Sequence, residues 1–134
     1  MAPFAFLAVP MLLLASDGGL SRDLERQYER LSIAISMVGT CTQHGYDVDI
    51  AGLEEWKVAA VDRAVAGGMD REAAQARLDR EIEREQDDVR ELFEEAQEMA
   101  QSRDHVNRFN RRMKRSCERI SEDDMTGGYF YPPE

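Results

Sequence analysis

Cys41 and His44 stand three residues apart, which puts both on one face of a helix at a spacing suited to metal ligands. Cys117, the only other cysteine, supplies a third donor if folding brings it near. The second histidine, His105, lies twelve residues before Cys117, roughly 18 Å along a continuous helix, too far to complete the same site. Zinc also needs both sulfurs as thiolates. In an oxidising compartment a minimal pair of cysteines reads instead as one structural disulfide, Cys41–Cys117, whose long loop stabilises the fold by about 4–5 kcal/mol in the chain-entropy model. In a reducing compartment both are ordinary buried thiols.

The carboxylates are the next candidates. Carboxylate-bridged di-metal sites in helical bundles use an E-x-x-H step, and neither His44 nor His105 has a Glu three residues before it. A solvated acidic face balanced by Arg is the simpler reading. Glu85, the one polar residue in its apolar series, is the carboxyl to watch for burial and a raised pKa, although its expected course is to snorkel out to water or pair with an Arg. There is no Ser nucleophile motif, no phosphate-cradling Gly loop and no H-E-x-x-H. The two histidines lack an organised partner, so the acid–base machinery of an enzyme is missing. No catalytic residue and no cofactor is assigned, and the chain is read as a non-enzyme.

The C-terminus carries Tyr129, Phe130 and Tyr131 followed by Pro132 and Pro133. Three consecutive aromatics are costly to leave in water, and the Pro–Pro step is stiff. They either fold back over the helices as a lid or form a short docking segment, which makes all five candidate partner contacts.

Placing these groups requires the whole chain. Its 134 residues allow one domain with a modest core, and 33% are charged against 43% hydrophobic. Charged residues with Ala, Leu and Met dominate and β-branched runs are scarce, which favours an all-α fold. A net charge of −10 disfavours nucleic acid and anionic membranes as partners. Residues 1–19 form their own unit: Ala2 to Ala15 is uncharged and ends abruptly at Ser16–Asp17–Gly18–Gly19. This is the pattern of a secretory signal, too short for the ~20 residues of a spanning helix. A retained apolar arm is the alternative. Export implies a periplasmic or secreted location.

The domain proper is expected over 20–126, with 127–134 as a tail. Leu24, Tyr28, Leu31, Ile35, Val38 and Cys41 or Thr42 recur at three- and four-residue steps, predicting a first helix over about 21–44, capped by Ser21 and stopped by Gly45. Tyr46 comes next as the residue that folds back on its last turn. Asp47 or Asp49 caps a second helix over 50–66 with Leu53, Trp56, Ala60 and Ala64 on one stripe, ended by Gly67 and Gly68. Asp70 caps a third helical segment. From there to Thr126 there is neither Gly nor Pro, and two seven-residue series run through: Leu78, Glu85, Leu92, Met99, Val106, Met113, Ile120, and Ile82, Val89, Ala96, Arg103, Asn110, Cys117.

Local signals alone describe one very long helix. The disulfide opposes it: the second helix carries the chain roughly 24 Å from Cys41, and an unbroken third would overshoot on its way to Cys117. A reversal near Gln101 to Asp104 gives helices over 71–100 and 104–121, hence a bundle of three to four helices. Charge agrees. Glu81 to Glu98 holds nine acids against Arg84 and Arg90, whereas Arg103 to Arg119 holds seven bases against Asp104 and Glu118. A hairpin lays these blocks side by side to neutralise each other. The competing arrangement is a straight helix in a domain-swapped or disulfide-linked dimer, so the chain is a monomer or a homodimer. The expected function is protein–protein contact, as adaptor, inhibitor or chaperone-like binder, through the tail and the apolar groove between helices. A metal-buffering module using the acidic helix or Cys41/His44 is the alternative.

Overall fold

The computed structural model describes residues 19–134; the apolar segment Ala2 to Ala15 lies outside them. The chain is all-α. Among the described residues five α-helices succeed one another: α1 Arg22–Ser36, α2 Val38–Gln43, α3 Ile50–Ala66, α4 Arg71–Glu98 and α5 Arg103–Glu122. A pair of two-residue strands, β1 Asp47–Val48 and β2 Phe130–Tyr131, completes it.

Side chains that satisfy free backbone N–H groups start three of the helices. Ser21 accepts from Leu24 N–H, Asp49 from Gly52 N–H and Asp70 from Ala73 N–H. Left-handed glycines stop two of them. Gly45, at φ +90°, lets Tyr46 N–H return to the Cys41 carbonyl at 3.0 Å, and the Tyr46 side chain is buried over the turn. Gly68 repeats the device, with Met69 N–H on the Ala64 carbonyl.

The first helix breaks where a single one was expected. At Met37 (φ −102°, ψ 1°) the backbone leaves the α-helical course, and α2 begins at the next residue. Hydroxyls bond back to the preceding turn on both sides of the break, Ser32 to the Tyr28 carbonyl, Ser36 to Ile33 and Thr42 to Val38, an arrangement that bends helices. The buried set moves accordingly. Leu24, Tyr28 and Leu31 hold the expected stripe, but beyond them Ala34, Met37, Thr40 and Cys41 turn inward while Ile35 and Val38 are only half-buried.

The break decides which helix each piece meets. α1 lies along α4: the Tyr28 hydroxyl donates to the Ala74 carbonyl at 3.1 Å, and Arg77 pairs with Glu25. α2 leans instead on α5, where Cys41 and Cys117 are joined with Cα atoms 5.6 Å apart. The core gathers Tyr28, Leu31, Leu53, Ala60, Ala74, Leu78 and both cysteines, with α3 closing its other side.

The reversal is present and lies two residues earlier than expected. α4 ends at Glu98, Met99 to Ser102 form an exposed turn, and α5 starts at Arg103. Met99 N–H on the Glu95 carbonyl and Ser102 N–H on the Met99 carbonyl make this turn without Gly or Pro. Among the described residues no helix is long and apolar enough to cross a membrane.

Candidate contact surface between the helices

α1 and α4 run side by side in the same direction, but α1 has 15 residues and α4 has 28. At 1.5 Å per residue α4 outruns its neighbour by about 20 Å. A groove opens between the last turns of α1, the middle of α4 and the end of α5.

The groove has a volume of about 510 Å³. Ile33 and Met37 from α1 and its break, Val89 from α4 and Ile120 from α5 give it an apolar lining. Glu29 and Glu85 carry negative charge on the α1–α4 side, and Arg119 carries positive charge on α5. Ser36 and Ser116 keep it open, because neither side chain is long enough to reach across. Arg30 pairs with Asp123, tying α1 to the end of α5 along the same groove.

Glu85 is half-buried in this wall and, among the described residues, makes no ion pair with an Arg, so it neither snorkels fully out nor pairs as expected. Burial pushes its carboxyl above the usual carboxylate range, and the neighbouring Asp88 charge raises it further, while Arg84 pulls the other way. Tyr28 is the other perturbed group. Its phenol lies in the core and burial raises its pKa, so it serves as a neutral hydrogen-bond donor.

The tail folds in as a lid. Tyr129 stacks on Trp56 with ring centroids 5.4 Å apart, and Phe130 is 1% exposed. β2 pairs antiparallel with β1, Asp47 opposite Tyr131 and Val48 opposite Phe130, and Asp49 N–H donates to the Tyr129 carbonyl. Gly52 makes room for both the cap and the tail, since a Cβ on it would collide with the Asp49 carboxylate and fall 3.0 Å from the Tyr129 ring. Of the five tail residues singled out for partner contact, Tyr129 and Phe130 are therefore occupied internally. Tyr131, Pro132 and Pro133 remain on the surface. Packing joins the tail to the helical domain from which its composition had set it apart.

Two residues that hold the tail carried no clear mark in the sequence. The Thr126 hydroxyl, buried, donates to the Ile120 carbonyl at 2.7 Å. The Asp123 carboxylate accepts from the Met125 and Thr126 N–H groups. An S/T/D cluster after a helix was the available signal, but it reads equally as a solvated end.

The cysteine–histidine constellation is closed to metal as long as the sulfurs are joined. His44 is half-buried beside the disulfide's helix, and His105 lies on α5 with Nδ1 2.7 Å from Arg108. Among the described residues, no three His, Cys, Asp or Glu side chains are gathered as a metal site.

The acidic and basic blocks are brought alongside without pairing. Among the described residues no ion pair joins the acids of α4 to the bases of α5; Arg90 pairs within α4, to Asp87 and Glu94, and Arg119 turns to the Ser116 hydroxyl. The expected neutralisation across the hairpin fails because apolar and aromatic side chains occupy the seam. Phe93 meets Phe109 edge-on at 5.0 Å, and the charges stand on the outer faces. No protein-family model, curated protein or solved structure matches the chain.

Proposed function

We propose that this is an exported, non-enzymatic helical protein that works by binding another protein, as adaptor, inhibitor or chaperone-like binder. The observation that carries this reading is the open groove between α1, α4 and α5, apolar in its lining and charged along its rim. Such a surface suits an amphipathic helical segment of a partner, whose apolar face lies on Ile33, Met37, Val89 and Ile120. The exposed Tyr131–Pro132–Pro133 strip is a second, smaller contact. Periplasmic or secreted location is supported by the uncharged Ala2–Ala15 segment together with the disulfide.

Photo-crosslinking from Ser116 tests the groove. A crosslinker placed there captures one defined protein in the producing cells, and one placed at exposed Arg80 does not. Ser116→Trp fills the groove and weakens binding of that purified partner at least about tenfold with the circular dichroism melt unchanged. Equal capture from both positions, or full binding by Ser116→Trp, rejects the groove. Intact mass with and without reductant tests export: a chain lacking the apolar segment and gaining two hydrogens on reduction is the expected form.

A further inference from the structure

Between Ile82, the last buried residue of α4, and Met113, the first buried residue of α5, no side chain is buried. This stretch is an arm of two helices and their turn. Its seam is apolar, with Val89, Leu92, Phe93, Ala96, Val106 and Phe109 all half-buried and Met99 45% exposed. Two helices alone cannot cover both sides of such a seam. The charges of the arm are segregated, acids on α4 and bases on α5, and they leave each other unpaired across the hairpin.

We infer that the arm docks with the arm of a second copy of this chain, forming a four-helix bundle from two hairpins. Charge selects the geometry. When two arms stack face to face, a two-fold axis across them sets acidic α4 on acidic α4, which is repulsive. A two-fold axis along them sets each acidic α4 against the basic α5 of the other copy and brings both turns to the same end. The second arrangement is attractive at both contacts and covers the open side of each apolar seam. From Glu83 to Arg112 nine carboxylates face six arginines, so most of the chain's net charge of −10 lies elsewhere and opposes docking only at long range. This surface adjoins the partner groove at Val89, but Ser116 lies outside the arm, so Ser116→Trp leaves self-association intact if both readings hold.

Sedimentation of the full chain tests it. The wild type is dimeric, and its dissociation constant rises about tenfold or more between low and high salt. One variant turns the arm net basic, Glu91→Lys, Glu94→Lys and Glu95→Lys; another strips α5 of three of its bases and makes the arm strongly acidic, Arg108→Glu, Arg111→Glu and Arg112→Glu. Each alone dissociates about 100-fold more readily, and an equimolar mixture restores a heterodimer. Restoration on mixing excludes misfolding as the cause of the loss. A wild type that stays monomeric at about 100 µM, association that tightens with salt, charge variants that dimerise as the wild type does, or a mixture that stays apart overturns the inference.

Discussion

α4 passes from one environment to another within a single uninterrupted helix. Its first half carries Ala74, Leu78 and Ile82 against α1 and α3, and the first two are fully buried. Its second half repeats the heptad position of Leu78 with Leu92 and that of Ile82 with Val89 and Ala96, yet none of these three is buried. At these two positions apolar residues occur in both halves. The difference comes from neighbours: α1 ends at Ser36 and α2 turns to the disulfide, so the second half has only α5 for company. A seven-residue apolar series specifies which face of a helix seeks cover. It does not specify whether cover within the chain extends that far.

Four measurements break or sharpen this contrast. Replacing both cysteines, Cys41→Ala with Cys117→Ala, has the largest expected effect, a loss of about 4–5 kcal/mol in denaturant unfolding. Hydrogen exchange in that variant rises first in α5, whose firmest tie to the base is then gone. A loss shared evenly along the chain contradicts the division into base and arm. Next comes Phe130→Ala. With Phe130 fully enclosed the cost is about 3–5 kcal/mol, and a melt left unchanged shows that the tail is a detachable segment after all.

The paired substitution of heptad-equivalent leucines compares the two regions directly. Leu78→Ala in the base costs about 3 kcal/mol, whereas Leu92→Ala in the arm costs under about 1 kcal/mol when measured at concentrations low enough to keep the chain monomeric. Equal costs mean that the arm is as firmly packed as the base. The smallest effect belongs to Glu85, at the junction of the two. Its folded carboxyl keeps a proton to higher pH than the unfolded one, so its contribution to stability is fully present below the ordinary carboxylate range and fades as pH rises through the raised folded value. Glu85→Gln is therefore more stable than the wild type at pH 7, by less than about 1 kcal/mol after solvent screening, with a flatter dependence on pH. Thermal melts at pH 4.5 and 7 decide it; a variant less stable at pH 7 contradicts the burial argument.

Short-range signals were legible residue by residue. Ser21 and Asp70 cap the helices they were expected to cap, Asp49 is the one of two candidates that caps α3, and Gly45 and Gly68 follow α2 and α3, because a cap or stop depends on atoms within a few residues. The hairpin was legible for a different reason. A helix has a fixed rise, so a tether from Cys41 to Cys117 dictates that the chain turn back, though only to within two residues of where it does. Glu85 was marked by its place in an apolar series, but its half-burial was not legible, because the series cannot tell whether a long side chain reaches water.

Tertiary packing decided the rest. The break at Met37 arises from hydroxyls that could as well have faced water, and it sends Cys41 toward α5. The groove is framed by the last turns of α1, the middle of α4 and the end of α5, which only folding brings together. Phe130 and Tyr129 turned inward because β1 and Trp56 offered an edge and a ring face, neither of which is visible from the tail itself. The charge blocks stand side by side unpaired because aromatic and aliphatic side chains take the seam between them. Sequence periodicity and capping report what each segment needs over four residues or so. Which distant side chain answers that need is a property of the folded chain.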